Sequence, residues 1–210
     1  MIEKYRDETD KQFQKRLLDR FEVDPKLRTD KDTLEYIAIF CRNIPQRFLF
    51  KWADLLDWEN LCYSQHLSSD FLDCMEDYID FRAISWSQRL AEWFIDKHKD
   101  KLDWVLLSEK QKMSEQFVFD HIDRINLEGL LQNKNSRFGS TFWRSILAAY
   151  PEWQISDVRY LKVRFDIDFV REFRDRFENL TFKFIDIPKE KRRDVWKELH
   201  INVSIGDLLN

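Results

Sequence analysis

The chain has 210 residues, 43% hydrophobic and 35% charged, long enough to bury a core and too apolar to be disordered. Only 3 Gly and 4 Pro occur beside 18 Phe and 8 Trp, so the chain reads as nearly all helix, and no glycine-rich phosphate loop can be written. A net charge of −4 speaks against non-specific nucleic-acid binding, no apolar run approaches a membrane span, and the charged start carries no secretory signal, so a cytosolic protein is expected.

In chain order, Ile2, Tyr5, Phe13, Leu17, Leu18 and Phe21 predict an amphipathic N-terminal helix over residues 2–21. Residues 24–32 read as a polar connector. Asp32 is expected to cap a helix from Thr33 to Arg42, with Glu35 three residues on, as in a capping box. Ile44, Phe48 and Trp52 then form a half-unit in the register of Leu67, Phe71 and Met75.

An ungapped internal repeat follows. Trp58, Phe81, Trp104 and Leu127 are spaced by 23 residues, as are Gln65, Gln88 and Gln111, and Phe71, Phe94 and Phe117. The units are LDWENLCYSQHLSSDFLDCMEDY (56–78), IDFRAISWSQRLAEWFIDKHKDK (79–101) and LDWVLLSEKQKMSEQFVFDHIDR (102–124). A fourth opens at Ile125 as INLEGLL, carries about two extra residues around Asn133 to Arg137, and resumes as RFGSTFWRSILAAY. Downstream, YPEW (150–153) echoes LDW and FDIDFVREF (165–173) echoes LSSDFLDCM. Lys189 to Leu199 reads as a final helix that starts near Pro188.

Within a unit, Asp57, Asp80, Asp103 and Asn126 are expected to cap a first short helix. Ser68 and Ser114 cap a second, with Ala91 a weaker substitute. Helices this short are unstable alone and must stack. The expected fold is therefore all-α: tandem helix-turn-helix repeats stacked as an α-solenoid or compact repeat bundle. It is read as one domain, with residues 1–32 as N-terminal helix and connector, 33–149 as repeats, and 150–210 as divergent repeats and cap.

The pattern carried by LDWENLCYSQHLSSDF, IDFRAISWSQRLAEWF and LDWVLLSEKQKMSEQF resembles short tandem repeats in uncharacterised proteins of bacteriophages and large DNA viruses. The resemblance covers residues 56–124 and implies a viral origin. By analogy it points to an accessory protein that blocks a host protein, including defence nucleases.

Repeat positions that differ mark candidate surface. Trp86 aligns with Tyr63 and Glu109, Trp93 with Asp70 and Gln116, and Phe119 with Asp73 and Asp96. These aromatics either pack on the flanking segments or meet a partner, where exposed Trp is a favoured contact residue. Arg82, Trp86, Arg89, Trp93 and Phe119 are the candidate partner-binding residues. The recurring Gln side chains are expected to satisfy backbone groups. His66, Arg89 and Lys112 form a basic row with Lys97, Lys99, Lys101 and Lys110, which is either solvated or meets an acidic partner or phosphates. His98 and His121 share one position, and repeated packing explains them more simply than metal binding.

Cys41, Cys62 and Cys74 lack metal-ligand spacing and read as reduced thiols. No cofactor, metal site or catalytic residue is expected. The leading reading is a non-enzymatic module that binds a host protein. Nucleic-acid binding through the Lys/Arg row, an enzyme with its site in residues 150–210, and homodimerisation through the repeat face remain as alternatives.

Overall fold

The computed structural model describes residues 3–155, 162–178 and 185–201, and the chain is mostly helical throughout them. It divides into two compact units, residues 1–103 and 104–210, each described here by itself.

In the first unit, α1 (Asp10–Val23) starts later than its apolar pattern predicts. Thr9 is the reason: its hydroxyl accepts the Gln12 N–H while the Gln12 side chain accepts the Thr9 N–H, a reciprocal cap that fixes the first turn. Tyr5 is left outside the helix and exposed, with the Arg16 guanidinium 4.1 Å above its ring. Phe13, Leu17, Leu18 and Phe21 form the buried face.

A 3-10 turn over Pro25–Arg28 leads to α2 (Lys31–Phe40). This corrects the expected Asp32 cap. The turn leaves Asp30 already extended, so Asp30 takes the N-cap place, and its carboxylate accepts the Thr33 hydroxyl. The unit continues through α3 (Gln46–Lys51), α4 (Trp58–Ser64), α5 (Ser69–Cys74), α6 (Phe81–Ser87) and α7 (Glu92–Lys97).

The second unit contains α8 (Trp104–Lys110), α9 (Glu115–Asp120), α10 (Leu127–Gln132), α11 (Ser140–Ala149), α12 (Ile167–Glu172) and α13 (Arg192–Leu199). It also holds β1 (Phe165–Asp166) and β2 (Ile185–Asp186), a parallel pair in the register Phe165 to Ile185. These strands are absent from the helical reading. YPEW forms a turn after α11, and residues 156–161 lie outside the described residues. FDIDFVREF does repeat the second-helix start, since Asp166 accepts the Phe169 N–H at 2.7 Å.

The caps lie where the repeat puts them. Asp57 accepts from Asn60, Asp80 from Arg82 and Ala83, and Asn126 from Gly129. Ser68 and Ser114 accept from Phe71 and Phe117, and Ala91 makes no side-chain cap bond. Helices of six or seven residues fall well below the ~12–15 that hold in isolation, so packing must stabilise them.

Two kinds of buried polar joint tie successive repeats together. In the first, Gln65 caps α4 but reaches back. Its amide donates to Cys41 O at 2.8 Å and its oxygen accepts the Ile44 N–H at 3.1 Å. Gln88 does the same one repeat later, donating to Cys62 O and Gln65 O and accepting the Leu67 N–H. In the second, a helix hydroxyl reaches forward. Ser85 accepts the Asp103 N–H at 3.1 Å and Ser108 the Asn126 N–H at 2.9 Å. Cys62 stands in the same place before Asp80; burial pushes its thiol up to about 11, and the Asp80 N–H pulls weakly the other way. Each joint pairs backbone groups that would otherwise be buried without partners.

The fourth unit makes the first joint differently. Asn133 donates to Ser108 O and Gln111 O, as Gln88 does to its own pair. Its shorter side chain leaves the Met113 N–H to Ser136, whose hydroxyl accepts it at 2.8 Å. Asn133 in turn accepts the Ser136 N–H at 2.9 Å. The extra residues seen in the sequence here supply that serine.

Candidate interaction surface

In the first unit α2, α4 and α6 each end in a connector to a second helix. The last turns present Phe40, Tyr63 and Trp86, at 60%, 53% and 47% exposure. The connectors carry Arg42, His66 and Arg89, all exposed. Apolar and polar positions separate here because Gln65 and Gln88 turn inward on the joint, so the residues beside them face out.

The α2–α3 connector is one residue longer than the next. Gln65 bonds to Cys41 and Ile44, three residues apart, whereas Gln88 bonds to Gln65 and Leu67, two apart. Asn43 absorbs the extra residue with φ 51°, the left-handed region that Asn tolerates well. That insertion hides the kinship of Phe40 and Arg42 with the later repeats. Tyr63, by contrast, is already in register with Trp86.

All five candidate residues are exposed. Arg82 and Trp86 lie one turn apart on α6, which places them on one face. The Arg82 side chain is 80% exposed and lies 3.9 Å from Asp103. Arg89 follows in the connector, and Trp93 sits on the first turn of α7, edge-on to Phe94 at 5.8 Å. One hairpin of the first unit thus carries four of the five. Phe119 belongs to the second unit, on α9, with its ring 5.3 Å from Phe142.

The lysines of the basic row serve another purpose. Lys97 donates to Asp73 at 2.6 Å and Lys101 to Glu76, each pairing with the preceding repeat. Lys97 holds the Asp73 carboxyl below its ordinary range, with His98 adding to the effect. Lys101 does the same for Glu76, and Asp73 raises Lys97 in return.

His98 is buried between Phe94 and Phe81, with ring distances of 4.4 and 5.4 Å. Its Nε2 lies 2.8 Å from Asp73 Oδ1 and its Nδ1 3.8 Å from Glu76 Oε1. His121 stacks on Phe117 and Trp104, with Nδ1 3.1 Å from Phe117 O. Both imidazoles cap a second helix and pack on the aromatic of the first. Among the described residues no group of three or more His, Cys, Asp or Glu is placed to hold a metal ion.

Cys41 and Cys62 are buried, and burial pushes the Cys41 thiol up to about 12; Cys74 is exposed. Protonated, enclosed thiols are poor nucleophiles. Among the described residues no helix is long and apolar enough to cross a membrane.

Comparison with protein-family models, with curated proteins and with solved structures finds no match to this chain.

Proposed function

We propose that the chain is a non-enzymatic protein-binding module whose repeats stack as a short α-solenoid or compact bundle. On the resemblance of its repeats, it is a phage or viral accessory protein that inhibits a host protein by occlusion. One observation carries the binding reading: aromatic residues that a single repeat could bury instead remain exposed, beside arginines, on the last turns of stacked helices. Aromatic and arginine side chains are the residues that anchor protein interfaces. The raised thiols and the packed imidazoles favour binding over nucleophilic catalysis.

The test is affinity capture from nuclease-treated host lysate, followed by calorimetry with the purified captured protein. Trp86→Ala and Trp93→Ala are each expected to weaken that binding at least tenfold, about 1.4 kcal/mol, and to leave the urea midpoint unchanged. Loss of the retained protein on nuclease treatment would replace this reading by nucleic-acid binding. Unfolding of the Trp93→Ala chain would remove Trp93 from the surface.

A further inference from the structure

The basic side chains of the first unit fall into two classes. At the ends of the second helices each lysine meets a carboxylate: Lys51 with Glu22, Lys97 with Asp73, Lys101 with Glu76. At the ends of the first helices the pattern is different. Arg42, His66 and Arg89 lie in three successive connectors, and among the described residues none has a carboxylate partner. Arg42 donates only to the carbonyls of Ile39 and Cys41, at the end of its own helix.

Each of these basic residues follows an exposed aromatic within three positions: Phe40 before Arg42, Tyr63 before His66, Trp86 before Arg89. No acidic residue intervenes in any of the three. The first acids beyond are Asp70 and Glu92, on the next helices. The fold thus neutralises its lysines internally and leaves one edge with charge unanswered and apolar rings uncovered. Its composition, aromatic and arginine with no lysine, is that of an interface core.

At its N-terminal end the edge reaches a cleft of about 360 Å³ between α1 and the α2–α3 connector. Leu18 and Phe48 supply its apolar lining, Lys15 and Arg47 its basic rim, with Asp19 and Glu22 on the lining as well.

We infer that this edge docks an acidic segment of a partner protein. Its carboxylates lie against Arg42, His66 and Arg89, and its apolar side chains against Phe40, Tyr63 and Trp86, with one apolar residue seated in the cleft. The inference rests on the protein-binding reading and names its partner chemistry. A nucleic-acid strand fits less well. Phosphate binding scales with the number of basic contacts, and this edge offers one per repeat on a chain of net charge −4.

The test uses the full chain and three probes: a fluorescein-labelled random glutamate–tyrosine copolymer, a labelled dT20 oligonucleotide, and the chain itself by sedimentation. Anisotropy at about 150 mM salt, where exposed charges are screened beyond roughly 8 Å, is expected to show copolymer binding at least tenfold tighter than dT20. The His66→Glu/Arg89→Glu pair and the Tyr63→Ala/Trp86→Ala pair are each expected to lose at least tenfold of copolymer affinity, with unchanged urea midpoints. Lys26→Glu, in the turn that leads into the opposite end of α2, is expected to change nothing. Copolymer binding that survives both pairs, or no copolymer binding, overturns this edge and its partner chemistry. The captured protein of the previous test then decides the broader reading by itself. Tighter binding of dT20 overturns both. A dimer dissolved by His66→Glu/Arg89→Glu replaces the acidic partner with a second copy of this chain.

Discussion

The joint between the repeats at Leu67 and Gln88 is closed by one side chain, whereas the joint between Met113 and Asn133 takes two. Further along the second unit, Phe165 and Ile185 pair through their own backbones, with no side chain between them. In each case the connector of one unit is fixed to the next by satisfying its buried N–H and carbonyl groups. The backbone sets the demand, and a glutamine, an asparagine with a serine, or a strand pair can meet it.

The largest effect should come from removing the single-residue joint. Gln88→Ala strands the Leu67 N–H and two carbonyls, and is expected to cost about 3 kcal/mol or more in urea unfolding. A loss under about 1 kcal/mol would mean that water completes the joint, and the comparison would collapse.

The divided joint should fail in parts. Ser136→Ala is expected to cost about 1–2 kcal/mol, Asn133→Ala somewhat more, and the double variant less than their sum, because Asn133 also holds the Ser136 N–H. Strict additivity would show that the two residues act separately.

A pH series sharpens the view of the opposite edge. The Asp73 pKa is lowered in the fold, so its pairing stabilises above the ordinary carboxylate value and is lost as pH falls through the folded value. The stability gap between the native chain and Asp73→Asn should be widest near neutrality and close below about pH 4. A gap constant with pH would show that the pairs with Lys97 and His98 contribute nothing.

The smallest effect belongs to the second joint. Cys62→Ser places there the hydroxyl that Ser85 and Ser108 already use, and should alter stability by less than about 1 kcal/mol. In the native chain a thiol reagent should label Cys74 quickly and reach Cys41 and Cys62 only on unfolding.

Much of the local structure is legible in the chain. Asp57, Asp80, Ser68 and Ser114 cap the helices that their spacing predicts, because a cap needs only residues three apart. Asp32 misleads because Asp30, freed by the turn before it, fulfils the same role sooner. The exposure of Trp86 and Trp93 follows from comparing units, whereas Phe40 and Arg42 escape notice because Asn43 shifts their register by one residue.

The sequence alone, then, determined the period of 23 residues, the short helices and their caps, since each depends on neighbours within a turn. Only the tertiary structure decided where the polar side chains point. Gln65 reaches back 24 residues to Cys41, Lys97 finds Asp73 24 residues away, and Arg89 finds no carboxylate. A periodic sequence offers every residue an equivalent neighbour on either side. Which one it bonds, and which charges are left for a partner, is settled when the helices pack.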